Sequence, residues 1–143
     1  MGGDEPAAVQ DCPMSRDSGA PPGFHSVTPR MVVSDAAAAV EFLRTVFAAT
    51  GHTEPNRPAE MRIGDSVVMV SEAGQREIFP AFLYVYVDDA DRTYRDALGA
   101  GAASVEAPWD TEYGDRRAMV RDAFGNLFQI AKRNDTTVTK SRP

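Results

Sequence analysis

The chain has 143 residues, 43% of them hydrophobic and 25% charged, with a formal net charge of −6 at pH 7. That is enough for one domain with its own core, and the charge argues against nucleic acid, whose phosphates demand clustered Lys and Arg. No apolar run approaches the roughly 18 residues of a membrane span, no basic-then-apolar leader opens the chain, and the single cysteine, Cys12, has no internal disulfide partner, which suits a cytoplasmic protein.

Residues 1–22 are rich in Gly, Ala, Pro and small polar residues without a sustained apolar period, and read as a disordered N-terminal tail. Asp4, Glu5, Asp11 and Asp17 against Arg16 put about half of the net charge there, so the folded part is only mildly acidic. Residues 23–133 read as a single domain and 134–143 as a polar C-terminal tail.

Within the domain, Thr28–Val33 (TPRMVV) predicts a short strand. Ser34 or Asp35 then caps a helix on which Ala36, Ala39, Val40, Leu43 and Phe47 recur at helical spacing, and Gly51 is expected to end that segment. Glu60–Ile63 (EMRI), a turn at Gly64–Asp65 and Ser66–Val70 (SVVMV) predict a hairpin. The order then starts again. Ala81–Val87 (AFLYVYV) is a strand, Asp88 or Asp89 caps a helix carrying Ala90, Tyr94, Ala97 and Leu98, and Gly99 and Gly101 supply its stop. Ser104–Glu106 predicts a short strand and is followed by a loop with Pro108 and Trp109; strands at Arg117–Arg121 and Leu127–Ala131 flank a turn at Gly125.

Two anchors mark an internal repeat: VSDAAAAV (Val33–Val40) parallels VDDADRTY (Val87–Tyr94), and IGDSVVMV (Ile63–Val70) parallels FGNLFQIA (Phe124–Ala131). The expected class is α+β, with module 1 at about residues 24–72 and module 2 at about 80–133. One such module leaves a sheet face uncovered, so two must meet to bury it.

The runs VTPRMVVSDAAAAVEFL, MRIGDSVVMVSE and YGDRRAMVRDAFGNLF resemble the vicinal oxygen chelate superfamily, also called the glyoxalase/bleomycin-resistance/dioxygenase superfamily, and within it the PhnB-like branch. The resemblance runs from about Val27 to Ala131. It implies two βαβββ modules forming a cup-shaped mixed sheet, a scaffold that hosts lyases, isomerases, dioxygenases and drug-sequestering proteins alike. In metal-dependent members, His and Glu ligands come from the first and last strands of each module. The matching positions here are Thr28, Val68, Phe82 and Gln129, with Met69 or Val67 replacing Val68 if the register slips by one residue. A hydroxyl, an amide and apolar side chains suit neither Zn²⁺ nor Fe²⁺, and His25 and His52 fall outside the set. No metal and no other cofactor is expected.

Strand alternation then assigns the cup. With Thr28 and Phe82 facing in, so do Arg30, Val68, Val70, Tyr84, Tyr86, Leu127, Gln129 and Ala131, while Met31, Val33, Leu83, Val85 and Val87 face the helices. Arg30 suits a ligand's carboxylate, phosphate or flat ring, or an internal salt bridge to Glu60, Glu106 or Asp115. The loop Trp109–Arg116 (WDTEYGDR) is the other candidate: Trp109 and Tyr113 could flank a planar ligand, with Asp115 and Arg116 orienting its polar edge or fixing the turn. Arg121 and Asp122 read as turn-fixing. The first hypothesis is a metal-free cup that sequesters or carries a small aromatic or amphipathic molecule. The alternatives are a metal-independent lyase or isomerase using a cup carboxylate and Arg30, and a metal-dependent enzyme using His25 or His52 with Glu60. The resemblance also implies a homodimer, in some relatives with modules exchanged between subunits.

Overall fold

The computed structural model describes residues 19–74 and 77–134; of the two expected tails, only residues 19–22 and Asn134 fall within them. Strand β1 (Arg30–Val33) leads into helix α1 (Ala36–Phe47). Asp35, not Ser34, is the N-cap: its backbone is extended and its carboxylate accepts from the Ala38 N–H at 3.0 Å. Glu72 reaches back to accept from the Ala36 N–H at 2.9 Å, so a second free amide of the first turn is satisfied. The helix stops before Gly51, because Ala48 takes up a left-handed conformation (φ 57°) and turns its N–H back to the Leu43 carbonyl. Gly51 lies instead inside β2 (Thr50–His52), a short strand with no sequence signature of its own. A Cβ there would sit 2.2 Å from the Glu60 carbonyl oxygen and 2.9 Å from the Met61 sulfur, so only glycine lets the strand approach this closely.

Strands β3 (Ala59–Ile63) and β4 (Ser66–Glu72) complete the first sheet, in the order β1-β4-β3-β2, with β1 parallel to β4 and the other pairs antiparallel. The second module repeats this plan with β5 (Phe82–Tyr86), α2 (Ala90–Gly99), β6 (Ala103–Asp110), β7 (Asp115–Arg121) and β8 (Leu127–Arg133), ordered β5-β8-β7-β6. Asp89 caps α2 by accepting from the Arg92 N–H at 3.0 Å. β6 is much longer than Ser104–Glu106, and Trp109 is a strand residue opposite Arg117 instead of part of a loop. Two register shifts, either side of Glu106, let this edge strand carry Pro108.

One core serves both modules. Met31, Val33, Ala59, Met61, Val68 and Val70 of the first sheet and Val120, Phe128 and Ile130 of the second pack with Val40, Phe42, Leu43 and Phe47 of α1 and Ala90 and Ala97 of α2. Phe128 stacks on Phe42 at 5.8 Å between ring centroids and lies 5.2 Å from Phe47, tying β8 to the helix of the other module.

Val68 and Val70, expected on the open face, are therefore core residues. The reason is turn length. Ile63 faces Ser66 across a two-residue turn, whereas Arg121 faces Leu127 across the longer turn Asp122–Asn126, so β4 and β8 leave their glycines one residue out of phase. Strand pairing gives the true equivalence: Arg30 stands opposite Met69 as Tyr84 stands opposite Gln129. Asp122 fixes the longer turn by accepting from Phe124 and Asn126 N–H groups at 2.9 and 2.8 Å, and the Asn126 side chain in turn accepts from the Ala81 N–H at 2.8 Å.

The sheets are not joined edge to edge; between the modules, Phe79 exchanges two backbone hydrogen bonds of 2.9 Å with Val32 on the outer edge of β1. Among the described residues, no helix is long and apolar enough to cross a membrane. Because the β2–β3 approach admits no Cβ, Gly51→Ala is expected to destabilise the fold by roughly 1–3 kcal/mol, read as a lower urea midpoint with an unchanged slope.

Candidate functional site

The open face of the second sheet gathers most of the residues singled out in the sequence. On β5, Phe82, Tyr84 and Tyr86 alternate with helix-facing Leu83 and Val85. Opposite them on β8 stand Leu127, Gln129 and Ala131; beyond those come Arg121, Met119 and Arg117 on β7, then Glu106 and Trp109 on β6. Phe82 is 64% exposed, and Tyr84, Tyr86, Trp109 and Tyr113 are exposed as well.

Asp115 organises this face. It opens β7 at 1% exposure, and its Oδ2 accepts the hydroxyls of Tyr84 at 2.6 Å and Tyr86 at 2.7 Å. Its Oδ1 has no directed hydrogen bond, but the Arg133 Nε lies 3.3 Å away as an ion-pair partner. The backbone is fixed too: the Asp115 N–H donates to the Thr111 hydroxyl oxygen at 3.0 Å, and the Thr111 N–H donates to the Asp115 carbonyl at 2.7 Å. Between Tyr86 and Arg117 in the register lies Ala131, fully buried and small enough for both rings to incline towards the carboxylate. The tyrosine rings sit 5.3 Å apart at 53°. Desolvation of the phenol, then the bond to Asp115, raises both hydroxyls above the ordinary tyrosine value, Tyr84 the further of the two because Tyr113 adds to it. The Tyr84 ring is half open to solvent while its hydroxyl is tucked against a buried acid, which is how one residue is both accessible and desolvated.

Arg117 brings Trp109 and Tyr113 together. Its guanidinium lies 5.4 Å from the Trp109 ring centre, donates to the Tyr113 hydroxyl, and makes two bonds to Glu106 Oε1 at 3.3 and 3.2 Å. Neither Arg117 nor Met119 was singled out in the sequence, although alternation along β7 from Asp115 leads to both. Arg116 points the other way and bridges to Asp91 of α2 at 3.0 Å and to Asp110 at 3.4 Å, which ties sheet to helix and removes it from the open face. Its bond holds the Asp91 carboxyl below the usual range.

Arg30 belongs to the other sheet. Its Nε donates to the Ser71 hydroxyl at 3.0 Å, and it pairs with none of Glu60, Glu106 or Asp115. It borders a separate cleft of about 1010 Å³ between the first half of α1 and residues 53–58, where Glu41, Arg44, Glu54 and Arg57 contribute charge and no aromatic ring takes part. Thr28 is half-buried just before β1. With Met69 in place of Val68, the four corner positions are Thr28, Met69, Phe82 and Gln129, a donor set that does not fit a divalent metal. His52 stands opposite Glu60 but bonds Glu54 at 2.8 Å, and among the described residues no three His, Cys, Asp or Glu side chains gather.

Comparison with known proteins agrees with this architecture. Residues 23–130 match the model of the Glyoxalase/Bleomycin resistance protein/Dioxygenase superfamily. An uncharacterized protein of Mycobacterium bovis is 30% identical over 125 residues, 75% of this chain and 82% of that protein. The crystal structure of TioX from Micromonospora sp. ML1 superposes with a TM-score of 0.66 at 24% identity, covering 75% of this chain and 97% of its own. A glyoxalase/bleomycin resistance protein/dioxygenase family enzyme from Burkholderia phytofirmans PsJN gives a TM-score of 0.64 at 22% identity, covering 73% and 95%. These structures share the fold of two βαβββ modules.

The raised tyrosines link stability to alkaline pH. A native state that keeps protons which the unfolded chain releases above its ordinary value of 10 is fully favoured below that pH and loses stability as pH climbs past it. Tyrosinate absorbance is expected to show two late-titrating groups, and Tyr84→Phe is expected to remove one of them and flatten the alkaline loss of stability.

Proposed function

The chain belongs to the Glyoxalase/Bleomycin resistance protein/Dioxygenase superfamily, and on that premise we propose that it binds a small aromatic or amphipathic organic molecule, without a metal ion, on the open face of its second sheet. The observation that carries this is the grouping of exposed Phe82, Tyr84, Tyr86, Trp109 and Tyr113 around a sheet whose central charges are already paired. Exposed rings in one patch, with few polar groups placed among them, suit an apolar or planar ligand. The role is sequestration or carriage, since both carboxylates of the face, Asp115 and Glu106, are engaged by tyrosine or arginine. The PhnB-like branch fits the same reading: its YGDR run carries the chain from Tyr113 into β7 and delivers Asp115 beneath the tyrosines.

A homodimer is part of the proposal. The modules of one chain meet on their helix sides, through Phe42, Phe47 and Phe128, which leaves the aromatic face exposed. A second copy would cover it with the first-module face that carries Arg30 and Met69. The second reading, a metal-free lyase or isomerase, is favoured by one observation: a buried carboxylate, Asp115, in contact with two phenols on an open face. It requires Arg30 to come from that second copy.

Titration of Trp109 fluorescence with planar aromatic compounds tests the binding reading. Quenching that is unaffected by chelator is expected, and Tyr84→Ala weakens it several-fold to about tenfold; silence across a broad set of compounds rejects it. Light scattering should give twice the chain mass. Turnover that survives chelator and disappears in Asp115→Asn would favour the enzyme instead.

A further inference from the structure

The polar groups of the aromatic face are unequally available. Asp115 is held by Tyr84, Tyr86 and Arg133, and Arg117 by Glu106 and Tyr113. Gln129 is different. It lies mid-strand, half-buried, with Tyr84 on one side, Met119 on the other, and Leu127 and Ala131 along its own strand. Its amide makes no hydrogen bond among the described residues. Arg121 is also without a partner, but it stands at the end of the sheet beside Leu127, at the rim.

A primary amide offers both a donor and an acceptor in one plane. Set among apolar neighbours, it discriminates against any ligand that covers it without returning those bonds. We propose that Gln129 selects, among aromatic ligands, those whose edge carries a neutral donor–acceptor pair, as in a lactam or carboxamide. This rests on the binding reading above. A carboxylate is the wrong partner for the amide itself, since it can accept from it but cannot donate to it; of the two arginines that stand two residues away in the register, Arg117 is already neutralised by Glu106 and Arg121 is exposed at the rim. The rings of Phe82 and Tyr84 hold the ligand's plane, and the amide sets its orientation.

Calorimetry with naphthalene, 2-quinolone and quinoline-2-carboxylate separates the possibilities, because the three share a two-ring frame and differ at the edge. The lactam, 2-quinolone, is expected to bind about tenfold more tightly than naphthalene, the gain from two made hydrogen bonds. Gln129→Leu should erase that gap by tightening naphthalene, which then no longer covers an unpaired amide, and that binding also shows that the variant is folded. Gln129→Glu, which keeps the shape but loses the donor, should erase it too. Equal binding of naphthalene and 2-quinolone by the unaltered protein overturns the proposal and leaves the aromatic platform standing. So does a gap that survives both variants, or quinoline-2-carboxylate as the tightest probe. If none of the three binds, the platform itself is wrong and this inference falls with it.

Discussion

Phe128 projects from β8 into the helix-side core, where it meets Phe42 and Phe47 of the first module's helix. A phenylalanine removed from water in this way contributes roughly 1.5–3 kcal/mol, and this one joins two units whose sheets share no hydrogen-bonded edge. The side on which the joint forms decides what the molecule can do. With both helices and the buried halves of both sheets committed to one core, the opposite face of the second sheet is free to carry rings that are not packed into that core. On the binding reading proposed above, core packing and ligand recognition are divided between the two sides of the same strands, residue by residue, by the alternation of β5 and β8.

On the open face, a buried carboxylate does what packing does elsewhere. Taking Asp115 out of water would be unfavourable without partners; two phenol donors, an arginine and the Thr111 contacts to its backbone supply them. In return, the tyrosine rings are held at a fixed inclination before any ligand arrives. A ligand bound there, as proposed, would then cost less conformational freedom, which favours affinity without adding a contact. Arg117 does the same for Trp109 and Tyr113 on the far side of the sheet.

Much of this was legible in the chain. The capping aspartates Asp35 and Asp89, the apolar face of α1 and the placing of Phe82, Tyr84 and Tyr86 on one face of their strand follow from short-range rules that depend on neighbours in sequence. What escaped depends on neighbours in space. β2 consists of Thr50, Gly51 and His52, which carry no strand pattern and pair only because β3 lies alongside. β6 runs through Pro108 because it is an edge and its register can shift. The phase of β4 could not be had from matching glycines in the two halves, since hairpins of different length set the following strand differently. Arg117 and Met119 fall within the expected strand, but the alternation that puts them on the open face starts from Asp115, which the sequence reads as loop, as it does Arg116.

Phe79 has a consequence for how copies of the chain can meet. By taking both outward backbone groups of Val32, it plugs β1 with a residue from the chain's own tether, so a foreign strand finds no continuous row of donors and acceptors there. Ribbon growth, in which each molecule extends the next one's sheet, is blocked at that margin. Whatever contacts copies of this chain make there must run through side chains, because the backbone of that margin is already spoken for.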